Sequence, residues 1–155
     1  MQTKQSLRRT ILALLTLVLI MPWNTACVIA QQKPEKSLYE RLGRYDAIAA
    51  VSDDFIARLA NDKQLSRFLV GLSADSKKRL RQLVVDQLCE ATGGPCIYIG
   101  RTMKASHAGL GVTESDWQVT VKHLVATLDK FKVPKKEKSE LLAIASSLKG
   151  DIVEK

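Results

Sequence analysis

The chain has 155 residues and a formal charge of +8, from 24 basic and 16 acidic side chains, which suits one domain able to bury a real core. Its charges are mixed and aromatic residues make up only 5% of it, so the basic stripe with interleaved stacking rings that nucleic-acid binding needs is missing. With three cysteines and two histidines, it has no Cys-x-x-Cys pair and no further ligands for a structural zinc site.

Lys4, Arg8 and Arg9 precede an uncharged run from Thr10 to Ile20, then Met21-Pro22-Trp23 and small residues. That order is a secretory signal's charged region, apolar region and cleavage zone, so residues 1–30 read as a signal peptide. A membrane span needs about 20 predominantly apolar residues, and this core is shorter before proline interrupts it. Val28-Ile29-Ala30 suits cleavage before Gln31. Asn24-Thr25-Ala26-Cys27 resembles a lipobox with an unusual first residue, which makes lipidation at Cys27 the second exit and the one route to membrane attachment after processing. An uncleaved anchor is the third reading. Export to the periplasm is the expected location. Loss of the leader leaves 125 residues with 21 basic and 16 acidic side chains, a charge of +5.

Residues 31–37 form a polar lead-in to a domain over residues 38–153. Ser37 can cap a short helix through Tyr39 and Leu42, ended by Gly43. From about Tyr45 to Ala60, Ile48, Val51, Phe55, Ile56 and Leu59 recur at steps of three and four, one apolar face of a helix. A helical turn follows at Gln64 to Leu69, with Phe68 and Leu69 inward. Asp75 is positioned to cap the next helix, whose Leu80, Leu83, Val84, Leu88 and Ala91 form a single stripe, and Thr92-Gly93-Gly94-Pro95 stops it. Cys96 to Val112 reads as irregular. Thr113 with Asp116 makes a capping-box-like start to a helix carrying Trp117, Val121, Leu124, Val125, Leu128 and Phe131. Pro134 suits the first position of a last helix lined by Leu141, Leu142, Ala145 and Leu148, and its lysine run is a solvated helix start. No strand pattern competes, so the chain is all-α.

If cleavage follows Ala30, Cys89 and Cys96 remain as an even pair in an oxidising compartment. Gly93 and Gly94 let the backbone reverse between them, so a disulfide can join the helix end to the next loop. His107, in Met-Lys-Ala-Ser-His-Ala-Gly-Leu-Gly between two amphipathic segments, has the local make-up of an axial haem ligand. A lone histidine is nonetheless more often structural. His123 lies inside a helix and reads as a helix-face residue with a local hydrogen bond.

The ordered series Tyr39-Glu40-Arg41-Leu42-Gly43, Asp54-Phe55, Gly93-Gly94-Pro95, Tyr98-x-Gly100-Arg101 and Met103-Lys104-x-x-His107-Ala108-Gly109-Leu110-Gly111-Val112-Thr113 resembles a group I truncated haemoglobin. His123 to Leu128 and Val133-Pro134 continue it, and the likeness runs from about Leu38 to Val153. The resemblance implies a two-over-two helical sandwich around one b-type haem, with His107 as the proximal iron ligand. It places Tyr98, Arg101, Met103 and Lys104 at the haem edge, where Arg101, Lys104 and Tyr98 are expected to meet the propionates. It also implies a diatomic gas ligand, oxygen or nitric oxide.

On the side where that ligand binds, the chain departs from the family. Phe55 is kept, but Ile56 stands where a tyrosine commonly donates, and Leu80 and Val84 stand where glutamine is often found. Bound oxygen carries partial negative charge and is stabilised by donors, whereas carbon monoxide depends on them less. An Ile, Leu and Val pocket therefore argues against very tight oxygen binding. Gln87, three residues beyond Val84, is the alternative donor. Phe68 or Leu69 should press on the haem face, although Gly71 to Lys77 carries a few more residues than the family pattern. Two function classes follow: an oxygen or nitric oxide carrier or buffer outside the cytoplasm, and a haem enzyme such as a nitric oxide dioxygenase. Peroxide chemistry wants a distal acid or base that Ile56, Leu80 and Val84 cannot supply. Dioxygenation needs an external reductase, so the binding reading leads. A secreted helical interaction domain is the reading without haem.

Overall fold

The computed structural model describes residues 35–155. The expected signal peptide, Cys27 and most of the lead-in lie outside the described residues. Those described form helices and connecting turns without strands: α1 (Leu38–Arg41), α2 (Arg44–Asn61), a 3₁₀ turn at Ser66–Phe68, α3 (Ala74–Ala91), α4 (Met103–His107), α5 (Glu114–Lys130), α6 (Lys135–Ser147) and α7 (Lys149–Ile152).

Local chemistry sets most of the helix starts. Ser37 closes a reciprocal capping box with Glu40, and Thr113 closes another with Asp116, each satisfying amides that a helix start leaves unpaired. The cap of α3 is Ser73, whose side chain accepts from the Ser76 amide, and not Asp75. Asp75 falls in the helix's first turn, where its charge meets the positive end of the helix dipole without supplying the cap. Pro134 likewise stands just before α6 rather than at its first residue.

Two apolar clusters make the core. Ile48 and Ala49 of α2 pack on Val85 and Cys89 of α3, with Tyr39, Leu88 and Cys96 at the edge. On the far side of α2, Val51 joins Leu124 and Leu128 of α5 and Leu141 of α6, with Phe55, Leu88, Val133, Leu142 and Ala145 beside them. Helix α2 thus links the α3 layer to the α5 and α6 layer. Asp54 reinforces the second seam by accepting from Arg58, Thr127 and Lys130 at 2.7, 3.0 and 2.5 Å. Chiefly Lys130, then Arg58, hold its carboxyl well below the usual range. A small recess is lined by residues of the second cluster and by Leu42, Ala47 and Ile48. None of its lining residues belongs to the His107 segment.

Helix α3 corrects the single-stripe expectation. Its buried residues are Val85 and Cys89, while Leu80, Leu83, Val84 and Gln87 stay half-buried. At 3.6 residues per turn the two sets lie roughly 170° apart, on nearly opposite sides of the helix. Helix α3 therefore carries a core face and a second, mostly apolar face that the protein covers only in part. Phe131, expected on the inner face of α5, is 39% exposed at the helix end, with Lys130 Nζ 5.7 Å from its ring centroid.

The turn after α3 brings Cys89 and Cys96 together, with Cα atoms 5.7 Å apart. Gly94 is needed there for close approach: a Cβ on it would stand 2.6 Å from the Tyr39 ring and 2.7 Å from Cys89 Sγ.

Candidate functional site

His107 ends α4, a helix within the stretch expected to be irregular. Thr102 caps it by accepting from the Ala105 amide, and no glycine lies between Thr102 and Gly109 to break it. The imidazole is half-buried, and its Nδ1 lies 2.9 Å from the backbone oxygen of Met103. A carbonyl oxygen only accepts, so in the neutral ring Nδ1 is the nitrogen that carries the proton, which leaves the lone pair on Nε2. The Ser106 hydroxyl, 3.1 Å from Nδ1, also donates to Met103 O at 3.0 Å, leaving that oxygen two donors. A neutral imidazole with Nδ1–H tied to backbone is the form in which histidine offers Nε2 to a metal.

The turn beyond His107 is gripped from the chain's other end. Glu154 accepts from the amides of Gly109 and Gly111 at 2.6 and 2.5 Å, and these amides hold its carboxyl below its ordinary range. Sequence reading gives no hint of this contact, because nothing near Glu154 marks it.

Met103 opens α4 half-buried, while Arg101 and Lys104 are exposed. Tyr98 is half-buried, and its hydroxyl donates to the Arg101 carbonyl at 2.7 Å, so its single proton is engaged by backbone rather than free for a propionate. Burial pushes the Tyr98 hydroxyl's pKa up. The ring lies over Gly100, where any Cβ would collide with it. Ile97 and Ile99 on either side are 75% and 79% exposed.

Phe55 and Ile56 on α2, with Leu80, Val84 and Gln87 on α3, are all half-buried. Gln87 shares the uncovered stripe of α3 with Leu80 and Val84. Phe68 is half-buried at the end of the 3₁₀ turn, and the Arg67 guanidinium sits 4.4 Å over its ring. Leu65, not Phe68 or Leu69, is the buried residue of that segment.

A polar network ties the segment to α5. Asp116, 1% exposed, accepts from Arg67 at 2.7 Å, from Gln64 at 2.8 Å, and from the Thr113 amide and hydroxyl at 2.9 and 2.7 Å. Burial works to raise its pKa, but the Thr113 and Gln64 bonds and the Arg67 charge prevail and hold it at about 2. His123 makes no local bond. Its Nε2 reaches Asp62 Oδ2 at 2.9 Å, while Asp62 Oδ1 accepts from the Gln64 and Leu65 amides.

Residues 37–154 match the family described as bacterial-like globin. The group 1 truncated hemoglobin GlbN of Mycolicibacterium paratuberculosis is 34% identical over 116 residues, covering 75% of this chain and 83% of that protein. Its namesake in Nostoc sp. is 31% identical over 121 residues, covering 77% and 98%. The 2/2 hemoglobin from Synechococcus sp. PCC 7002, solved in the cyanomet state with covalently attached heme, has a TM-score of 0.70 at 26% identity, covering 77% of this chain and 100% of that one. The truncated hemoglobin of Tetrahymena pyriformis in its Fe(III) form has a TM-score of 0.70 at 23% identity, with the same coverage, a likeness of fold alone. The arrangement of α2, α3, α5 and α6 is the two-over-two globin sandwich.

Proposed function

The chain belongs to the bacterial-like globin family and is a truncated globin, and from that premise we propose that it binds a b-type haem through His107 and reversibly takes up oxygen or nitric oxide. Haem held by His107 would supply an iron able to take up a diatomic ligand.

The observation that carries the reading is His107 itself, with Nδ1–H committed to Met103 O at 2.9 Å and Nε2 left as the donor. The incompletely covered face of α3 supports it. An apolar stripe left half-buried on a helix that already has a core face is a place for a flat apolar group. Met103, at the start of α4, and Phe68, at the end of the 3₁₀ turn, are apolar and half-buried in the same way. Arg101 and Lys104, exposed on the neighbouring segment, supply positive charge for the propionates.

The residues assigned to the ligand side, Ile56, Leu80 and Val84, present hydrocarbon only. They exclude water and offer no proton to a reacting group, which favours reversible binding over peroxide turnover. Gln87 is the one donor on that stripe. The role is that of an oxygen or nitric oxide carrier or buffer. The charged and apolar order of residues 1–30 supports an address outside the cytoplasm, as a periplasmic protein beginning at Gln31 or a lipoprotein attached through Cys27, with Cys89 and Cys96 joined as a disulfide.

The purified protein should show a Soret band with one haem per chain, and in the reduced state a shifted spectrum with carbon monoxide. Purified chain that takes up no haem on reconstitution would overturn the assignment and leave the interaction-domain reading.

A further inference from the structure

We propose that Glu154, the penultimate residue, is the positioning residue of His107, an inference that rests on the haem-binding reading above. After His107 the chain leaves α4 through Ala108, Gly109, Leu110 and Gly111, and the two glycines hold φ of 80° and 64°, a region that disfavours side chains. No regular helix or sheet bonding fixes such a turn. The Glu154 carboxylate does, by accepting the Gly109 amide on one oxygen at 2.6 Å and the Gly111 amide on the other at 2.5 Å.

The residue between those amides is Leu110, whose own N–H donates to the carbonyl of His107 at 3.1 Å. The clamp therefore brackets the bond that holds the His107 backbone. It is anchored in turn, because the Glu154 amide donates to Val112 O at 2.8 Å and the Glu114 amide donates to Lys155 O at 3.0 Å. A strap from the chain's end thus crosses the segment joining His107 to α5. Charge-assisted bonds of this kind are short and about twice as strong as neutral ones. Groups behind a metal-binding histidine set the orientation of its ring.

The test uses full-length wild type, Glu154→Ala and Glu154→Gln, the last keeping one acceptor oxygen without the charge. In the haem-free proteins, amide hydrogen exchange at Gly109 and Gly111 should quicken at least about tenfold in Glu154→Ala. In the haem-loaded proteins, transfer of haem to an excess of apomyoglobin should quicken about 10- to 100-fold. The iron–histidine stretching frequency of the ferrous form should shift, and Glu154→Gln should fall between wild type and Glu154→Ala on each measure. Wild type that takes up no haem overturns the haem reading and the positioning role together. Wild type that binds haem, with variants of unchanged stretching frequency and haem-loss rate, overturns the positioning role alone, whether or not melting temperature falls.

Discussion

His123 Nε2 lies 2.9 Å from Asp62 Oδ2, pairing α5 with the turn after α2 across 61 positions. Nε2 of His123 is therefore already committed to a carboxylate, and chiefly this bond draws Asp62 below its ordinary pKa. His107 differs in that only Nδ1 is engaged.

Haem retention should separate the two histidines. His107→Ala is expected to lower haem content per chain at least about tenfold after desalting, since it removes the iron donor. His123→Ala should retain haem and lose at most about 1 kcal/mol of stability, the scale of a partly exposed pair. Soret absorbance per chain is the measurement, and equal haem in both variants would remove His107 from its role.

Asp116 should matter more to stability than any exposed carboxylate. Asp116→Asn is expected to cost about 2–3 kcal/mol, because it weakens charge-assisted bonds within a buried network. A carboxyl lowered from 3.8 to about 2 contributes stability that is present above about pH 4 and lost as pH falls through about 2. The gap between wild type and Asp116→Asn in urea unfolding should thus narrow from pH 5 down to pH 2. A gap that stays constant over that range would show that the carboxylate's charge is not what stabilises the network.

Cys89 and Cys96, with Cα atoms 5.7 Å apart, should be recovered as one linked peptide from protein exported by its native leader and digested without reductant. Breaking the bond should cost about 2 kcal/mol, the lower end for a short loop. Recovery of both cysteines fully alkylated would refute the pairing. Intact mass of the same sample decides between a chain starting at Gln31 and a diacylated Cys27.

Ile56→Tyr tests the apolar ligand side. A new donor worth ~1.4 kcal/mol in the barrier to release should slow oxygen dissociation roughly tenfold, with carbon monoxide release changing much less. A wild-type oxygen off-rate that is already slow, and that rises sharply in Gln87→Leu, would instead make Gln87 the donor.

Features set within four residues of chain were legible in the sequence. The cap at Ser37, the capping box at Thr113, the helix stop at Gly93-Gly94 and the helical periodicity of α2 and α5 depend on neighbours along the backbone, so residue order alone determines them. The bond from His107 to Met103, four residues earlier, is equally local, but it depends on α4, a helix in a stretch that reads as irregular in the sequence.

Only the tertiary structure decided which surfaces meet. Leu80, Leu83 and Val84 satisfy the pattern of a core stripe, yet the buried face of α3 is Val85 and Cys89. Periodicity records that a face is apolar and is silent on whether protein or a bound group covers it. The Asp62–His123 pair, the Arg67 and Gln64 bonds to Asp116 and the Glu154 clamp join residues more than 40 positions apart. Such contacts form only where folding brings distant helix ends together, and no local spacing encodes them.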